Sequence, residues 1–319
     1  MVAPEGACSL AESEHWLSLS RQARWHFPTS SGHPVADTGA VWVQDLLAGQ
    51  RVFSSAARTL LDADRPEDAV ELAANVWRLW VVSREMAAGS AFLAEVLGHP
   101  EVRSSRFRAI ALYGDGLFAF WSGALADSVA RNDAALEDAL TAADAEALTL
   151  ASTGLSRAKV NSEPLHALEH ACTALRHASK LAPEWSQAPL HLQASATRAL
   201  GDLDQAVALF TQSLALNLAL GDSGMVVVEL HNLGHLEVRR GNAEEARRLF
   251  DECSQLGDPA DPFSAAMETL NRAATAYASG DRPVAAVLFA EAESALLALQ
   301  VDPATDDDFA WLRQRIAGA

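Results

Sequence analysis

The chain has 319 residues, with 24 basic and 42 acidic side chains giving a formal charge of −18. Such a surface repels phosphate backbones and argues against direct nucleic-acid binding. Cys8, Cys172 and Cys253 are too few and too scattered for a disulfide framework or a cysteine-built zinc site, and they suit a reducing cytosol. No apolar run reaches the ~18 residues a membrane span needs, and residues 1–14 lack the basic patch and apolar core of a secretory signal. The expectation is a soluble, cytoplasmic protein without a membrane partner.

In chain order, residues 1–14 and the Pro-, Ser- and Gly-rich stretch 27–37 read as loops. Helices near Leu17 and Trp42 read as an N-terminal cap, so that 1–56 forms a leading segment. From 57 to 300 one pattern recurs every 39 or 40 residues. Its clearest anchors are Gly201-Asp202, Gly241-Asn242 and Gly280-Asp281. Ala206, Ala246 and Ala285 stand five positions after the glycines, and Phe210, Phe250 and Phe289 nine after. Ser162, Gly123 and Arg84 hold the same place in earlier copies. Helical spacing flanks each anchor, as in Val227, Leu230, Leu233 and Leu236 before Gly241. Glycine accepts the positive φ that ends one helix, and Asp or Asn caps the next. Small residues seven before the anchor (Gly116, Ala194, Gly234, Ala273) let the two helices approach. No run alternates with period two between hairpin turns, so no sheet is expected. Residues 301–319 form a last helix, with Asp306, Asp307 and Asp308 as a solvated acidic start that suits the helix dipole.

A fixed repeat of this length means stacked supersecondary units that hide their apolar faces only against one another. The slots resemble the tetratricopeptide repeat, which implies an all-α, right-handed superhelical solenoid of about six to seven helix-turn-helix repeats. Armadillo and HEAT repeats match the period better and the Gly-Asp turn worse. Residues 63–97, with Trp77, Trp80 and Gly89, also resemble the helical C-terminal region of large bacterial STAND-type ATPase transcriptional regulators of the LuxR/SARP-associated kind. Ala111-Leu112-Tyr113, Phe120-Trp121 and Ser213–Leu216 continue that resemblance, and Trp42–Leu46 is similar to its linker helices. The chain departs from that family in having no GxxxxGK[ST] phosphate loop and no evident helix-turn-helix segment. The resemblance implies a sensory or regulatory lineage that acts on transcription indirectly.

In tetratricopeptide-like folds the first helix of each pair lines a concave groove. Counted back from the anchors, Asn75, Arg78, Tyr113, His191, Arg198, His231, Asn232, His235, Arg239 and Asn271 should face it. Ser152, Ser156, Ser195 and Lys159 join them, giving a polar groove in an acidic protein. In peptide-binding members of the family, Asn at this place bonds an extended peptide backbone, since its carboxamide offers both donors and an acceptor. The plainer alternative is that these asparagines crosslink neighbouring repeats.

His231 and His235, four apart on one helix, have a spacing that can chelate a metal, with His191 one repeat earlier. Asn232 stands where an HExxH glutamate would be, so no cofactor or metal is assigned. His166, His170 and His177 belong on the outer helix face, and Cys172 reads as a packed small residue. Of the tryptophans, Trp77, Trp80 and Trp121 read as packing between repeats, Trp16, Trp25 and Trp42 as parts of the cap, and Trp185 as a loop residue.

The leading expectation is a non-catalytic adaptor or regulator that holds a peptide or protein in the groove. A small-molecule sensor or enzyme using the groove His, Tyr and Arg is the first alternative. A self-associating homodimer, favoured if apolar residues near Trp311 and Leu312 lie exposed, is the second.

Overall fold

A computed structural model describes residues 8–26, 41–258, 260–299, 301, 303 and 307–317. Among the described residues every regular element is helical. The chain divides into two units, Met1–Ala196 and Thr197–Ala319.

The first unit begins with α1 (Leu10–His26), α2 (Val41–Gly49) and α3 (Phe53–Asp62). Three helix pairs follow: α4 (Pro66–Val76) and its continuation α5 (Arg78–Val82) with α6 (Met86–Leu97), α7 (Arg106–Trp121) with α8 (Leu125–Ala142), and α9 (Ala145–Lys159) with α10 (Pro164–Ala178). α11 (Gln187–Ala199) runs through the boundary. The second unit holds α12 (Leu203–Leu220), α13 (Ser223–Arg240) with α14 (Ala243–Leu256), α15 (Pro262–Ala278) with α16 (Arg282–Ala298), and α17 (Asp307–Ala317).

The expected turn grammar holds at most anchors. Gly123, Gly201, Gly241 and Gly280 all have φ between 79° and 89°, and Arg84 takes φ 60° in the same slot. Asp202 and Asp281 accept from the backbone N–H groups of Gln205 (3.0 Å) and Val284 (3.2 Å), as N-caps do. Asn242 departs from the expectation: it makes no capping bond and donates from Nδ2 to Glu237 Oε2 at 2.6 Å. At Ser162 the turn forms without a left-handed residue, because Ser162 and Glu163 both bond back to the Lys159 carbonyl and Pro164 opens α10.

A second, unforeseen set of turns lies half a repeat away. Asp64, Ala143 and Gly221 take φ 59°, 51° and 71°. Ser105, Asp144, Asp222 and Asp261 cap the helices that begin the pairs. Residues 10–14 also differ from the loop expected there. Ser9 and Glu12 form a reciprocal capping box, Ser9 N–H to Glu12 Oε2 at 2.7 Å and Glu12 N–H to Ser9 Oγ at 3.3 Å, which starts α1 at Leu10. The stretch 27–37 lies outside the described residues.

The periodic slots are packing slots. Ala206, Ala246 and Ala285 are buried beside Phe210, Phe250 and Phe289. A Cβ on Gly234 would lie 2.3 Å from the Phe250 ring, so only glycine lets α13 meet α14 at this depth. In the first unit Asn132 on α8 wedges between α7 and α9. A Cβ on Gly116 or Gly154 would fall 2.5 and 1.9 Å from its carboxamide. Aromatic contacts carry the same unit from Trp16 to Phe53 (5.6 Å), from Phe53 to Trp80 (6.1 Å) and from Trp80 onto Phe92 (4.9 Å, stacked). Trp77 packs edge-on against Tyr113 and Phe118. Trp77 and Trp80 are core, Trp16 and Trp185 are half-buried against it, and Trp121 is exposed. The side chains of Trp25 and Trp42 lie outside the described residues.

Candidate functional site

In the first unit the residues expected in the groove are mostly enclosed. Asn75 is buried and donates to Ser20 Oγ of α1 at 3.2 Å. Arg78 is buried with its guanidinium 4.4 Å from the Trp77 ring centroid, a cation–π geometry. Tyr113 is fully buried, and its hydroxyl accepts from Arg157 Nη1 at 3.3 Å. His191 is half-buried, and its carbonyl accepts from Ser195 Oγ at 3.0 Å. Ser152 and Ser156 are buried too.

In the second unit the expected residues converge. His231 Nδ1 and His235 Nε2 both approach the same acceptor, Asn271 Oδ1, at 2.8 and 3.1 Å. An acceptor shared by two ring nitrogens requires a proton on each, which fixes both tautomers. Asn271 Nδ2 points at Cys253 Sγ, 3.8 Å away. The spacing of four that could chelate a metal is thus used to clamp a carboxamide on the next pair. Burial pushes the His235 imidazole down to about 3, so this ring, edge-on to Phe250, is neutral at neutral pH. Burial likewise raises the Cys253 thiol to about 11, which keeps it protonated. Among the described residues no group of three or more His, Cys, Asp or Glu is arranged to hold a metal ion.

Asn232 is spent in a similar way. Its Nδ2 donates to the Val228 carbonyl at 2.8 Å, and its Oδ1 accepts from Arg198 Nη1 at 2.9 Å. Asn75, Asn232 and Asn271 are each buried with a partner inside the chain, so none stands on an open surface as a ready contact for a peptide backbone.

Arg198 and Arg239 stand in the last turns of α11 and α13, where a cation suits the helix dipole. Both reach α17. Arg198 Nη1 donates to Asp308 Oδ2 at 2.8 Å, while Arg239 Nη2 donates to Asp308 Oδ1 at 2.5 Å and to Asp307 Oδ2 at 2.8 Å. Side-chain exposure is 12% for Arg198, 10% for Arg239 and 3% for Asp308, but 42% for Asp307. Burial alone would raise the Asp308 carboxyl; Arg198 foremost, with Arg239, overrides it and holds the group well below the usual carboxylate range. The expectation of a solvated acidic start therefore fails at Asp308, because two guanidinium groups enclose it. Asp306 lies outside the described residues.

α17 is fastened at several further points. Phe309 packs 4.3 Å from Phe289, Trp311 sits edge-on to Tyr277 at 5.7 Å, and Arg282 Nη1 donates to the Arg315 carbonyl at 3.0 Å. Leu312 is fully buried and Trp311 half-buried. On α10, His166 is exposed beside Glu163, and His170 and His177 are half-buried, their imidazoles lowered chiefly by burial.

The fold is a tetratricopeptide-like helical solenoid. A solved Rap protein, complexed with competence and sporulation factor, superposes with a TM-score of 0.60 at 12% identity, covering 96% of this chain and 97% of that one. NprR in complex with its cognate peptide NprX gives 0.61 at 13% identity, covering 97% of this chain and 82% of that one. A tetratricopeptide repeat protein from Parabacteroides merdae gives 0.51 at 13% identity, over 88% and 93%. No family model and no curated protein sequence matches the chain. Identities this low speak for the fold alone. Among the described residues no helix is long and apolar enough to cross a membrane.

Proposed function

We propose that the protein is a non-catalytic regulatory module of the cytoplasm that binds a peptide or protein partner along the first helices of its repeats. The observation that carries this reading is the second unit's polar side chains on successive first helices, which form two hydrogen-bonded groups: Asn232, Arg198 and Arg239 around Asp308, and His231 and His235 on Asn271. These side chains are paired inside the chain, so on this reading a polar partner enters by exchanging internal bonds, beginning at the half-buried His231 and the partly open Asp307. The solved complexes of Rap with competence and sporulation factor and of NprR with its cognate peptide NprX support the same direction. The buried, neutral His235 and the doubly engaged Asn271 are suited to positioning rather than to proton transfer.

On this reading residues 57–300 are the binding repeats, 1–56 a leading segment and 301–319 a capping helix. The resemblance of Trp77, Trp80 and Gly89 to STAND-type transcriptional regulators supports control of transcription through a partner, with no direct contact to nucleic acid.

The test is affinity capture from native lysate with the full chain, set beside His191→Ala and His231→Ala, two half-buried positions. Mass spectrometry should find a peptide or protein held by the wild type and reduced at least fivefold by one variant, with unchanged helicity. Equal recovery by all three chains, or none by any, sinks the reading.

A further inference from the structure

Arg198 and Arg239 are the least expected pair in this molecule. In a chain of net charge −18, two guanidinium groups from separate helices converge, nine-tenths enclosed, on one carboxylate. That carboxylate belongs to the first turn of the last described helix. Arg198 is steadied from behind by Asn232 Oδ1, and Arg239 lies 5.4 Å from the Trp311 ring centroid. Arg239 Nε is buried without a hydrogen-bond partner, so this fork has donor capacity that α17 does not use. Asp307, in contrast, is partly open to solvent while it touches Arg239.

We propose that Arg198 and Arg239 form a docking site for an acidic segment of a partner, and that Asp307 and Asp308 of α17 are its internal occupant. The proposal rests on the binding-module reading above and names the partner chemistry: adjacent carboxylates at the start of a helix or an extended segment. Planar guanidinium forks suit this role because they take carboxylates in paired hydrogen bonds. Occupancy by the chain's own acids sets a threshold. A partner must displace α17, so weakly acidic segments fail and only one with comparable carboxylates enters. The internal copy also keeps two buried cations neutralised when no partner is present, which an empty site could not do without a large desolvation penalty.

The probe is a fluorescein-labelled peptide with the sequence of residues 303–317, titrated by anisotropy against the full-length chain and its Asp307→Asn/Asp308→Asn variant. The variant should bind at least tenfold more tightly than wild type, because its own α17 no longer competes. Hydrogen exchange in α17 should be at least tenfold faster in the variant. The same peptide with Asn at both acidic positions should bind neither chain, a control that leaves the protein untouched. Equal affinity for wild type and variant, undiminished binding of the Asn peptide, or an unbound variant whose α17 stays protected each overturns the proposal. If lysate capture yields a partner that Arg198→Gln/Arg239→Gln retains in full, this inference falls and the binding-module reading stands. If capture yields nothing, that reading falls instead.

Discussion

Arg198 and Asp308 are joined at 2.8 Å although 110 positions separate them in the chain. The contact ties the end of α11 to the start of α17, and Arg239 of α13 completes the triad from a second helix. Removing one member leaves a buried carboxylate short of countercharge. Arg239→Met should therefore destabilise the fold by about 3 kcal/mol in urea melts, the cost typical of a broken buried pair. Adding Asp308→Leu should recover part of that loss, and a double variant as unstable as the sum of the singles would contradict the triad.

His235 should make stability depend on pH. Its folded pKa, about 3, lies below the ordinary 6.5. The unfolded chain therefore binds the proton more readily, so the contribution is complete above pH 6.5 and is lost as pH falls toward 3. The slope in that window should approach about 1.4 kcal/mol per pH unit for this one group. His235→Gln should flatten the profile between pH 6.5 and 4 in thermal melts; an unchanged slope would place the proton elsewhere. Asp308 acts in the same sense at lower pH, since its folded value is held beneath the usual carboxylate range and its contribution fades only as acid protonates it.

Gly234→Ala should cost about 2 kcal/mol, because its Cβ would fall 2.3 Å from the Phe250 ring and force an overpacked pair to shift. Gly241→Ala should cost about 1 kcal/mol through the left-handed φ of 83° alone, with open space around the added methyl. Chemical denaturation of both variants checks the order. A reversal would mean that the turn, rather than the helix contact, limits the pair.

These two glycines also mark what the sequence made legible. Turn residues and close-approach residues act locally, so Gly201, Gly241, Gly280 and the Phe210, Phe250, Phe289 series could be read from spacing. The fate of Asn75, Asn232 and Asn271 could not, because a carboxamide serves an outside peptide or an inside neighbour equally well, and only the placement of α1, Arg198 and the two histidines decides. Asp308 differs from its expected solvated state for a related reason: helix starts are normally solvated, and nothing in the sequence of 306–308 reveals that two arginines lie opposite Asp308. The Ser9–Glu12 box has the spacing of a helix start, set in a composition that favours a loop.

That box gives a further check. Ser9→Ala should weaken α1 by about 1 kcal/mol, as lost N-caps do, and speed exchange of the amides near Glu12 and Ser13 without touching α7. Uniform acceleration across the first unit would instead make α1 part of a single cooperative block.

Left-handed residues recur at half-repeat intervals, at Gly201, Gly221 and Gly241 and again at Gly123 and Ala143. Each ends one helix and lets the next begin with its own rotational phase. A residue inserted inside a helix would turn the following side chains by ~100°, yet only as far as the next such turn. The spacing is 40 between Gly201 and Gly241 and 39 between Gly241 and Gly280, and Phe210, Phe250 and Phe289 are buried in all three copies. The chain is in effect written in short, separately phased clauses, so an insertion or deletion damages one clause and leaves its neighbours readable.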